Sequence, residues 1–261
     1  NTEMDLHLVL ISVLEGVTEF LPVSSTAHLL IFSKLLRVDL TDSYIKFYLL
    51  VIQLGALLAG VFFFAKKILT DRKLLINICA SFIPSAIIGF ALYKAFKKLL
   101  EGNFLLLSIM LFIGGVLFIY LEKVFMKKNS IDEIGKNELD IMDAVIVGIA
   151  QALAIIPGVS RSGATIIAGI FRGIKKPVII EYTFILALPT LGSAVLYDAY
   201  KSRELFSSIN SYSEILLGVL VAFLTAVATL YLMKKWLPRI SLTGFGVYRI
   251  ALSILVFLFL F

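Results

Sequence analysis

The chain has 261 residues, of which 60% are apolar and 16% charged, and its mean hydropathy is +0.99. Soluble domains are closer to half apolar and a quarter charged, so this composition indicates a membrane protein. The net charge is +6, but Lys and Arg stand at the ends of apolar runs, where they contact lipid headgroups and set orientation. Nucleic acid is therefore not expected as a partner. The single cysteine, Cys79, excludes an intrachain disulfide and is expected to be a buried, inert thiol.

Six apolar stretches are long enough to be transmembrane helices, because about 20 residues cross the hydrocarbon core. They cover residues 44–64, 74–93, 104–121, 179–199, 215–233 and 245–261. Between the third and fourth, residues 122–140 are predicted to form a mixed-charge surface loop. The first five residues carry no basic segment, so no signal peptide is expected.

Two further apolar regions, 6–36 and 141–174, are each interrupted by a proline followed by small hydroxyl residues. The first break begins at Pro22 (Pro-Val-Ser-Ser-Thr) and the second at Pro157 (Pro-Gly-Val-Ser-Arg-Ser-Gly). Each half of these regions is too short to span a bilayer, and proline is unfavourable inside a helix. We predict two re-entrant hairpins, whose irregular backbone is either buried by protein or lines a wet cavity.

The two halves of the chain match in the order of their elements. Pro22 and Pro157 lie about 135 residues apart, as do the starts of the first and fourth predicted spans, and Pro-x-x-Ser occurs at both breaks. Each half has one hairpin and three spans, so the second half must be inserted upside down. We predict an all-α integral membrane protein, with six transmembrane helices plus two re-entrant helix hairpins in an inverted-topology repeat. Residues 1–261 form one membrane domain, with repeats at about 6–121 and 141–261.

Basic residues are unevenly distributed across this topology. They are more frequent in the loops at 66–73, 123–136, 172–176 and 234–239 than in those at 34–46, 94–98 and 201–203. The positive-inside rule makes the first set cytoplasmic and places both termini outside. Other charged residues stand near the ends of apolar segments and are expected at the membrane interface: Asp143, Glu181, Asp198 and Arg249.

The first break carries candidate acid–base and anion-binding groups. Glu15 and Glu19 are four residues apart on one helix face in an apolar region, where both cannot stay ionised without a shared proton or a divalent cation. The alternative is that both side chains extend to a wet edge. The next half-helix begins at the hydroxyl residues Ser24, Ser25 and Thr26. One of these hydroxyls can cap the helix, and the remaining exposed N–H groups still favour a bound anion.

Three further polar residues complete the predicted site. His28 lies one turn into the half-helix and is expected to face the same cavity, as a general acid or base. Arg161, between Ser160 and Ser162 at the second break, needs a partner in the membrane, either a phosphate group or the Glu pair. Gln53 is expected to line the cavity or to bond another helix.

Brought together by the inverted repeat, these groups suit a phosphate or pyrophosphate with a bridging metal, and the apolar spans suit a hydrocarbon tail. The motifs Glu15-Gly-Val-Thr-Glu19-Phe-Leu-Pro-Val-Ser-Ser-Thr-Ala-His28, Gln53-Leu-Gly55 and Pro157-Gly-Val-Ser-Arg-Ser-Gly-Ala-Thr165 resemble those of the undecaprenyl-pyrophosphate phosphatases, the bacitracin-resistance family of bacterial envelope enzymes. The resemblance extends over the whole chain in length, number of spans and motif order. It departs at Ala27, where Gly is more usual, and at Tyr182-Thr183-Phe184, where Phe-Ser-Phe is commoner.

The resemblance implies hydrolysis of undecaprenyl pyrophosphate to undecaprenyl phosphate and inorganic phosphate at the bacterial plasma membrane, with Mg²⁺ or Ca²⁺ as cofactor. This reaction recycles the lipid carrier for cell-wall synthesis and confers bacitracin resistance. The catalytic residues implied are Glu15, Glu19, Ser25 and His28, the two Glu also holding the metal. The resemblance also assigns Ser24 and Arg161 to the site, and the predicted substrate-binding residues are Arg161, Ser24, Thr26, Ser160, Ser162, Thr165 and Gln53. The attacking group is Ser25, or a water activated by Glu19 or His28.

A second function from a different class stays open at this stage. Inverted repeats with hairpins at the midplane are also features of secondary transporters, so the chain could move a polyprenyl phosphate lipid, as a transporter or flippase, without cleaving it. The expected partners are the lipid substrate and the bilayer. Formation of a homodimer is left open.

Overall fold

The computed structural model describes residues 2–100, 103–201, 212–236 and 239–260, and within these ranges it contains helices and no strands. The helices are α1 (Thr2–Thr18), α2 (Ser25–Leu35), α3 (Ser43–Thr70), α4 (Arg72–Leu100), α5 (Phe104–Tyr120), α6 (Ile131–Ile134), α7 (Ile141–Ala152), α8 (Arg161–Phe171), α9 (Lys176–Lys201), α10 (Tyr212–Trp236) and α11 (Leu242–Leu260). A π-helical segment, Leu121–Met126, continues α5, and a single 3₁₀ turn, Leu153–Ile155, continues α7.

In the part of the chain that the structure describes, six helices are long and apolar enough to cross a membrane, which confirms the predicted number of spans. These candidate spans are Ser43–Thr70, Arg72–Leu92, Phe104–Met126, Lys176–Lys201, Tyr212–Trp236 and Leu242–Phe259. The third runs past its predicted end because the π-helical segment extends it into the expected loop. The predicted last residue of the sixth span, 261, lies outside the described residues. The protein is therefore a multi-pass, all-helical membrane protein.

The helices on either side of the two breaks are short. The helices α2 and α8 have 11 residues each, or about 16 Å at the α-helical rise, which is roughly half the hydrocarbon core. The ends of the second broken segment meet, since Arg172 after α8 donates from Nε to Asp143 Oδ1 in the first turn of α7 at 2.8 Å. In the first, Leu8 of α1 and Val38 beyond α2 belong to one buried cluster. These contacts support the predicted re-entrant hairpins.

The two broken segments share their backbone conformation. Each short second helix follows a non-glycine residue with positive φ, Ser24 at 72° and Ser160 at 69°. Each is followed by another positive-φ residue, Arg37 at 54° and Gly173 at 77°. The two residues of each of these pairs are separated along the chain by one residue more than Pro22 and Pro157 are. The matched conformations support the predicted inverted repeat.

The two halves of the chain also exchange packing partners. Helix α1 of the first half packs on α10 of the second. The equivalent helices in the other halves are α7 and α4, and these two also pack on each other. The last helices of the two halves, α5 and α11, pack together as well. In both the α1–α10 contact and the α7–α4 contact, the two helices approach each other closely at a glycine. A Cβ on Gly16 would overlap the backbone of Ala222, and one on Gly148 would overlap the backbone of Ser81. The first helix of each broken segment thus packs on the second span of the other half.

Charged residues gather at one end of the bundle. The ion pairs there join Lys67 with Glu181, Lys73 with Glu138, Lys136 with Asp140 and Asp143, Arg172 with Asp143, and Lys176 with Glu122. These basic residues come from the loops assigned to a single side of the membrane. The side chains at 94–98 and residue 203, assigned to the other side, lie outside the described residues.

One sequence-based expectation about burial is wrong, since Cys79 is exposed on α4. Asp143, expected at the interface, lies among the ion pairs at the charged end of the bundle and is itself fully buried there by protein. Its carboxylate accepts from Lys136 and Arg172, and it forms a capping box with Asp140, so its charge is compensated locally.

Candidate active site

A cavity of about 780 Å³ lies where the two breaks meet. It is lined by nine of the predicted site residues, namely Glu15, Glu19, Ser24, Ser25, Thr26, Gln53, Ser160, Arg161 and Ser162. Its apolar lining comes from α4, α9 and the 3₁₀ turn, and includes Phe82, Ile87, Phe90, Ile155 and Leu191. The cavity therefore combines ionic and hydroxyl groups with a surface suited to hydrocarbon.

Glu19 connects the two breaks. Ser25 Oγ donates to Glu19 Oε2 at 2.7 Å, and Arg161 Nη2 donates at 3.3 Å both to Glu19 Oε1 and to the Glu19 backbone carbonyl. Arg161 Nη1 donates to the carbonyl of Thr183, also at 3.3 Å. The side chains of Arg161 and Glu19 are only 11% and 8% exposed. Of the two partners considered for Arg161 from the sequence, the structure places the carboxylate next to it.

Glu15 presents an unsatisfied carboxylate oxygen. The residue is 1% exposed, its carboxyl group interacts with that of Glu19 directly after α1, and its Oε1 has no hydrogen-bond partner among the described residues. An orphaned acceptor of this kind suits a hard cation. Within the described residues there is no group of three His, Cys, Asp or Glu side chains that could hold a metal. The two Glu fit a cation that completes its coordination with substrate oxygens and water, as Mg²⁺ commonly does.

Two helix N-termini reach the cavity. Ser24 precedes α2 without a side-chain cap, so the first-turn N–H groups of that helix have no internal partner. Ser160 precedes α8 and accepts from the N–H of Gly163 at 3.2 Å, which satisfies one such group. The positive φ of each serine strains the backbone by about 1–3 kcal/mol, so surrounding contacts must hold it. Helix N-termini with free N–H groups attract anions.

His28 does not line the cavity, so the expectation that it faces the same space as the carboxylates is wrong. Its Nδ1 lies 2.8 Å from the carbonyl oxygen of Ser24, and its Nε2 lies 2.6 Å from Tyr248 Oη, with the two rings stacked. A carbonyl can only accept, so Nδ1 carries the proton and Nε2 of the neutral ring accepts from Tyr248. The cause is the rotation of α2, which turns position 28 toward α11.

Thr165 also lies away from the cavity. Its hydroxyl is 2.9 Å from that of Thr183 and bonds to the carbonyls of Arg161 and Ser162, in the contact between α8 and α9. The residue is fully buried. It fixes the first turn of α8 against its neighbour, and through that turn it fixes the position of Arg161.

The structure adds polar residues that sequence reasoning missed. Gln151 of α7 lines the cavity and donates from Nε2 to Ser85 Oγ at 2.9 Å and to Thr190 Oγ1 at 3.0 Å. The sequence signal for this position is an amide inside an apolar run. Asp198, expected at the interface, also lines the cavity.

The expected interfacial placement of Arg249 is wrong as well. Arg249 is fully buried, and its guanidinium donates to carbonyls of both breaks: Pro22 at 3.2 Å, Gly158 at 2.7 Å and Val159 at 3.2 Å. An arginine five residues into a span looks interfacial in the sequence alone. Its actual depth depends on the neighbouring helices, which bring both breaks within its reach.

The fold and the cavity define a class: a multi-pass membrane protein with a cavity suited to an anionic group on a hydrocarbon tail. Sequence comparison gives the family, since residues 8–255 match the one described as "Bacitracin resistance protein BacA". The chain belongs to this family.

Curated relatives cover nearly the whole chain. They include an undecaprenyl-diphosphatase of Sulfurihydrogenibium sp. (strain YO3AOP1), 40% identical over 253 residues that cover 97% of this chain and 98% of the relative. Another, from Campylobacter hominis, is 40% identical over 252 residues, 94% of this chain and 95% of the relative. A third, from Aquifex aeolicus (strain VF5), is 37% identical over 246 residues, 94% of each.

Proposed function

We propose that the protein hydrolyses undecaprenyl pyrophosphate to undecaprenyl phosphate and inorganic phosphate. The observation that carries the proposal is Glu19, whose two carboxylate oxygens contact Ser25 and Arg161 inside a cavity with an apolar wall. A nucleophile, a base and an anion-binding guanidinium thereby meet beside a surface for a lipid tail. The undecaprenyl-diphosphatase name of the curated relatives supports this substrate.

The pyrophosphate is bound by the second break and the two helix N-termini. Arg161 contacts Glu19 at 3.3 Å, a long distance for a charged pair, so its fork can turn to phosphate oxygens when the substrate enters. The hydroxyls of Ser24, Thr26, Ser160 and Ser162 line the same space and supply further donors. The first isoprene units lie against the apolar wall, and the rest of the tail extends into lipid.

A divalent cation, Mg²⁺ or Ca²⁺, is the proposed cofactor. Glu15 and Glu19 would hold it, and the partnerless Oε1 of Glu15 supports this placement. When bound, such a cation supplies positive charge that neutralises the phosphate oxygens during phosphoryl transfer.

The proposed reaction begins at Ser25. Its Oγ–H donates to Glu19, which takes the proton as Oγ bonds to the terminal phosphorus and the bridging P–O bond breaks. Undecaprenyl phosphate leaves, and Glu19 passes its proton to solvent and becomes a carboxylate again. It then deprotonates a water that attacks the phosphoserine; the P–Oγ bond breaks, Ser25 takes the proton back from Glu19, and inorganic phosphate is released. The alternative is direct attack by that water on the pyrophosphate, which needs Glu19 but not the serine hydroxyl. His28, with both ring nitrogens engaged away from the cavity, positions the backbone of Ser24 in this proposal.

The proposed setting is the bacterial plasma membrane, with both termini outside, where hydrolysis recycles the lipid carrier of cell-wall synthesis and opposes bacitracin. The clustering of basic loops at one end of the bundle supports this orientation. Bacterial relatives of the same length support the setting.

The test is phosphate release from undecaprenyl pyrophosphate by purified protein in detergent, with Mg²⁺ and with chelator. Metal-dependent turnover that disappears in Glu19→Ala and Arg161→Ala is the expected result. If the wild-type protein binds the lipid but releases no phosphate, the phosphatase proposal fails. Movement of the intact lipid across vesicle membranes would then support a transporter.

A further inference from the structure

Arg249 carries a positive charge in the interior of the bundle. Among the described residues its hydrogen bonds go to backbone carbonyls, and its Nε has no partner. The four acceptors belong to Pro22, Met110, Gly158 and Val159, at 2.7 to 3.3 Å. A buried arginine is costly unless its donors are satisfied, so its retention here calls for a specific role.

We propose that Arg249 is a positioning residue that holds the two breaks in register, so that Glu19 and Ser25 of the first meet Arg161 of the second. This inference rests on the proposed phosphatase function for its catalytic consequence. Its structural basis is independent of that function, because a single guanidinium bonds one carbonyl of the first break and two of the second.

The orientation of the peptide groups gives the contact its effect. In a trans peptide the N–H points opposite to the C=O, so a carbonyl drawn toward Arg249 turns the next N–H away from it. The N–H groups turned in this way belong to Val23, Val159 and Ser160, which lie one or two residues before the residues that begin α2 and α8. The guanidinium thereby stabilises the backbone next to Ser24 and Ser160, the two strained positions at the cavity.

The residue before Arg249 contributes in the same direction. Tyr248 donates to His28, which in turn donates to the carbonyl of Ser24. Consecutive residues of α11 thus support the first break directly and through His28. Helix α11 therefore acts as the common support for both breaks.

Gly114 permits this arrangement. A Cβ at this position on α5 would overlap Nη2 of Arg249. Gly114→Ala therefore displaces the guanidinium without removing its positive charge. Gly244 on α11 provides a matched control, because a Cβ there meets Ser241 at an ordinary contact distance of 3.7 Å. Comparison of Gly114→Ala with Gly244→Ala distinguishes the effect of displacing the guanidinium from the general effect of adding a methyl group.

The experiment compares wild type, Arg249→Gln, Arg249→Lys, Gly114→Ala and Gly244→Ala as purified full-length proteins. We expect kcat per folded molecule to fall about 100-fold in Arg249→Gln and Gly114→Ala, as for a displacement of about 1 Å at a reacting centre. Arg249→Lys should recover part of the loss, since it keeps a cation that reaches fewer carbonyls, and Gly244→Ala should match wild type. The thermal midpoint in detergent is measured alongside, so that loss of folded protein is counted separately.

Amide hydrogen exchange at residues 22–26 and 158–163 gives a readout that does not depend on turnover. Faster exchange at both breaks in Arg249→Lys and Gly114→Ala, with wild-type exchange in Gly244→Ala, is the expected result. Unchanged exchange and unchanged kcat in the folded variants would overturn the inference. Inactive wild type with the expected exchange pattern would overturn the phosphatase proposal alone.

Discussion

Arg161 and Glu19, which lie on different halves of the chain, are joined twice: through the carboxylate and through the backbone carbonyl of Glu19, each at 3.3 Å. The first contact depends on the side chain of Glu19 and the second does not. Shortening or neutralising Glu19 therefore leaves one link between the halves. Arg161 consequently fixes the place of the backbone at position 19 as well as pairing with its charge.

Glu19→Gln is expected to abolish base catalysis while leaving the fold intact. The amide can still accept from Ser25 or Arg161 but cannot take a proton, so kcat should fall by about 10²–10⁴-fold, the usual contribution of a general base. Phosphate release and the thermal midpoint are the measurements. A Glu19→Gln protein with more than about a tenth of wild-type turnover would contradict the assignment.

Arg161→Lys tests whether the planar fork of the guanidinium is needed. Lysine keeps the charge but is a point donor, so it cannot contact Glu19 and Thr183 together or bind phosphate in a bidentate manner. We expect turnover to fall on the order of 100-fold, as when one transition-state donor is removed. Retention of full activity would mean that charge alone suffices at this position.

Ser25→Ala separates the two routes of phosphoryl transfer. If the serine is the nucleophile, turnover should fall by at least about 10³-fold, because the covalent route is closed. Rapid quenching of wild type with substrate labelled in the terminal phosphate should then trap label on the protein. Near-normal turnover in Ser25→Ala, with no trapped label, would leave direct attack by water.

Glu15→Gln is expected to weaken metal binding more than folding. Its Oε1 is buried without a partner, so the neutral amide relieves the repulsion from Glu19 but removes half of the proposed carboxylate pair. The Mg²⁺ concentration for half-maximal activity should rise by roughly 10–100-fold, and added Mg²⁺ should restore most of the turnover. Loss of activity that no concentration of Mg²⁺ restores would assign Glu15 a role other than metal binding.

Gly148→Ala should destabilise the contact of α7 with α4. The added methyl group meets the backbone of Ser81, which cannot move without shifting a helix, and overpacking of this kind costs about 1–3 kcal/mol. Gly192→Ala is the control, because its Cβ makes only an ordinary contact with Leu57 at 3.6 Å. The thermal midpoint in detergent should fall for the first and stay near wild type for the second. Equal midpoints would show that the contact adapts.

Asp140 should make stability depend on pH at the charged end of the bundle. The N–H of Asp143 donates to its carboxylate and Lys136 pairs with it, and both contacts lower the pKa of Asp140. A depressed folded-state pKa adds stability above the ordinary value of about 4, and this stability is lost as the pH falls through the folded-state pKa. The thermal midpoint of wild type should therefore decline in acid more than that of Asp140→Asn, which keeps a cap without titrating. Parallel declines would contradict this assignment.

Local sequence signals were sufficient for the outline of this protein. Pro22 and Pro157 each stand beside a cluster of small hydroxyl residues, and this combination predicted both breaks and the adjacent spans, whereas Pro84 and Pro189 lie inside the continuous helices α4 and α9. The sequence also predicted that residues directly at the breaks line the cavity, because the interrupted helices bring them there. Glu19 and Arg161 are of this kind.

Properties that depend on how helices rotate and pack could not be predicted from one sequence. His28 is three residues from Ser25 and would share its face in an isolated helix, yet α11 supplies the Tyr248 hydroxyl that holds it on the other side. The burial of Arg249 and the exposure of Cys79 could not be predicted for the same reason. Burial within a membrane is decided by which neighbouring helix covers a face, and apolar faces toward lipid and toward protein have similar composition.

The exchanged packing of α1 on α10 and of α7 on α4 has a consequence for biogenesis. The chain leaves the ribosome N-terminus first, so α1 is made long before α10, the span against which it packs. The helix α7, by contrast, emerges after α4 is already available. We expect the second hairpin to reach its place during synthesis, and the first to stay only partly sheltered until translation is nearly complete. The catalytic cavity would then be assembled as the last step of insertion.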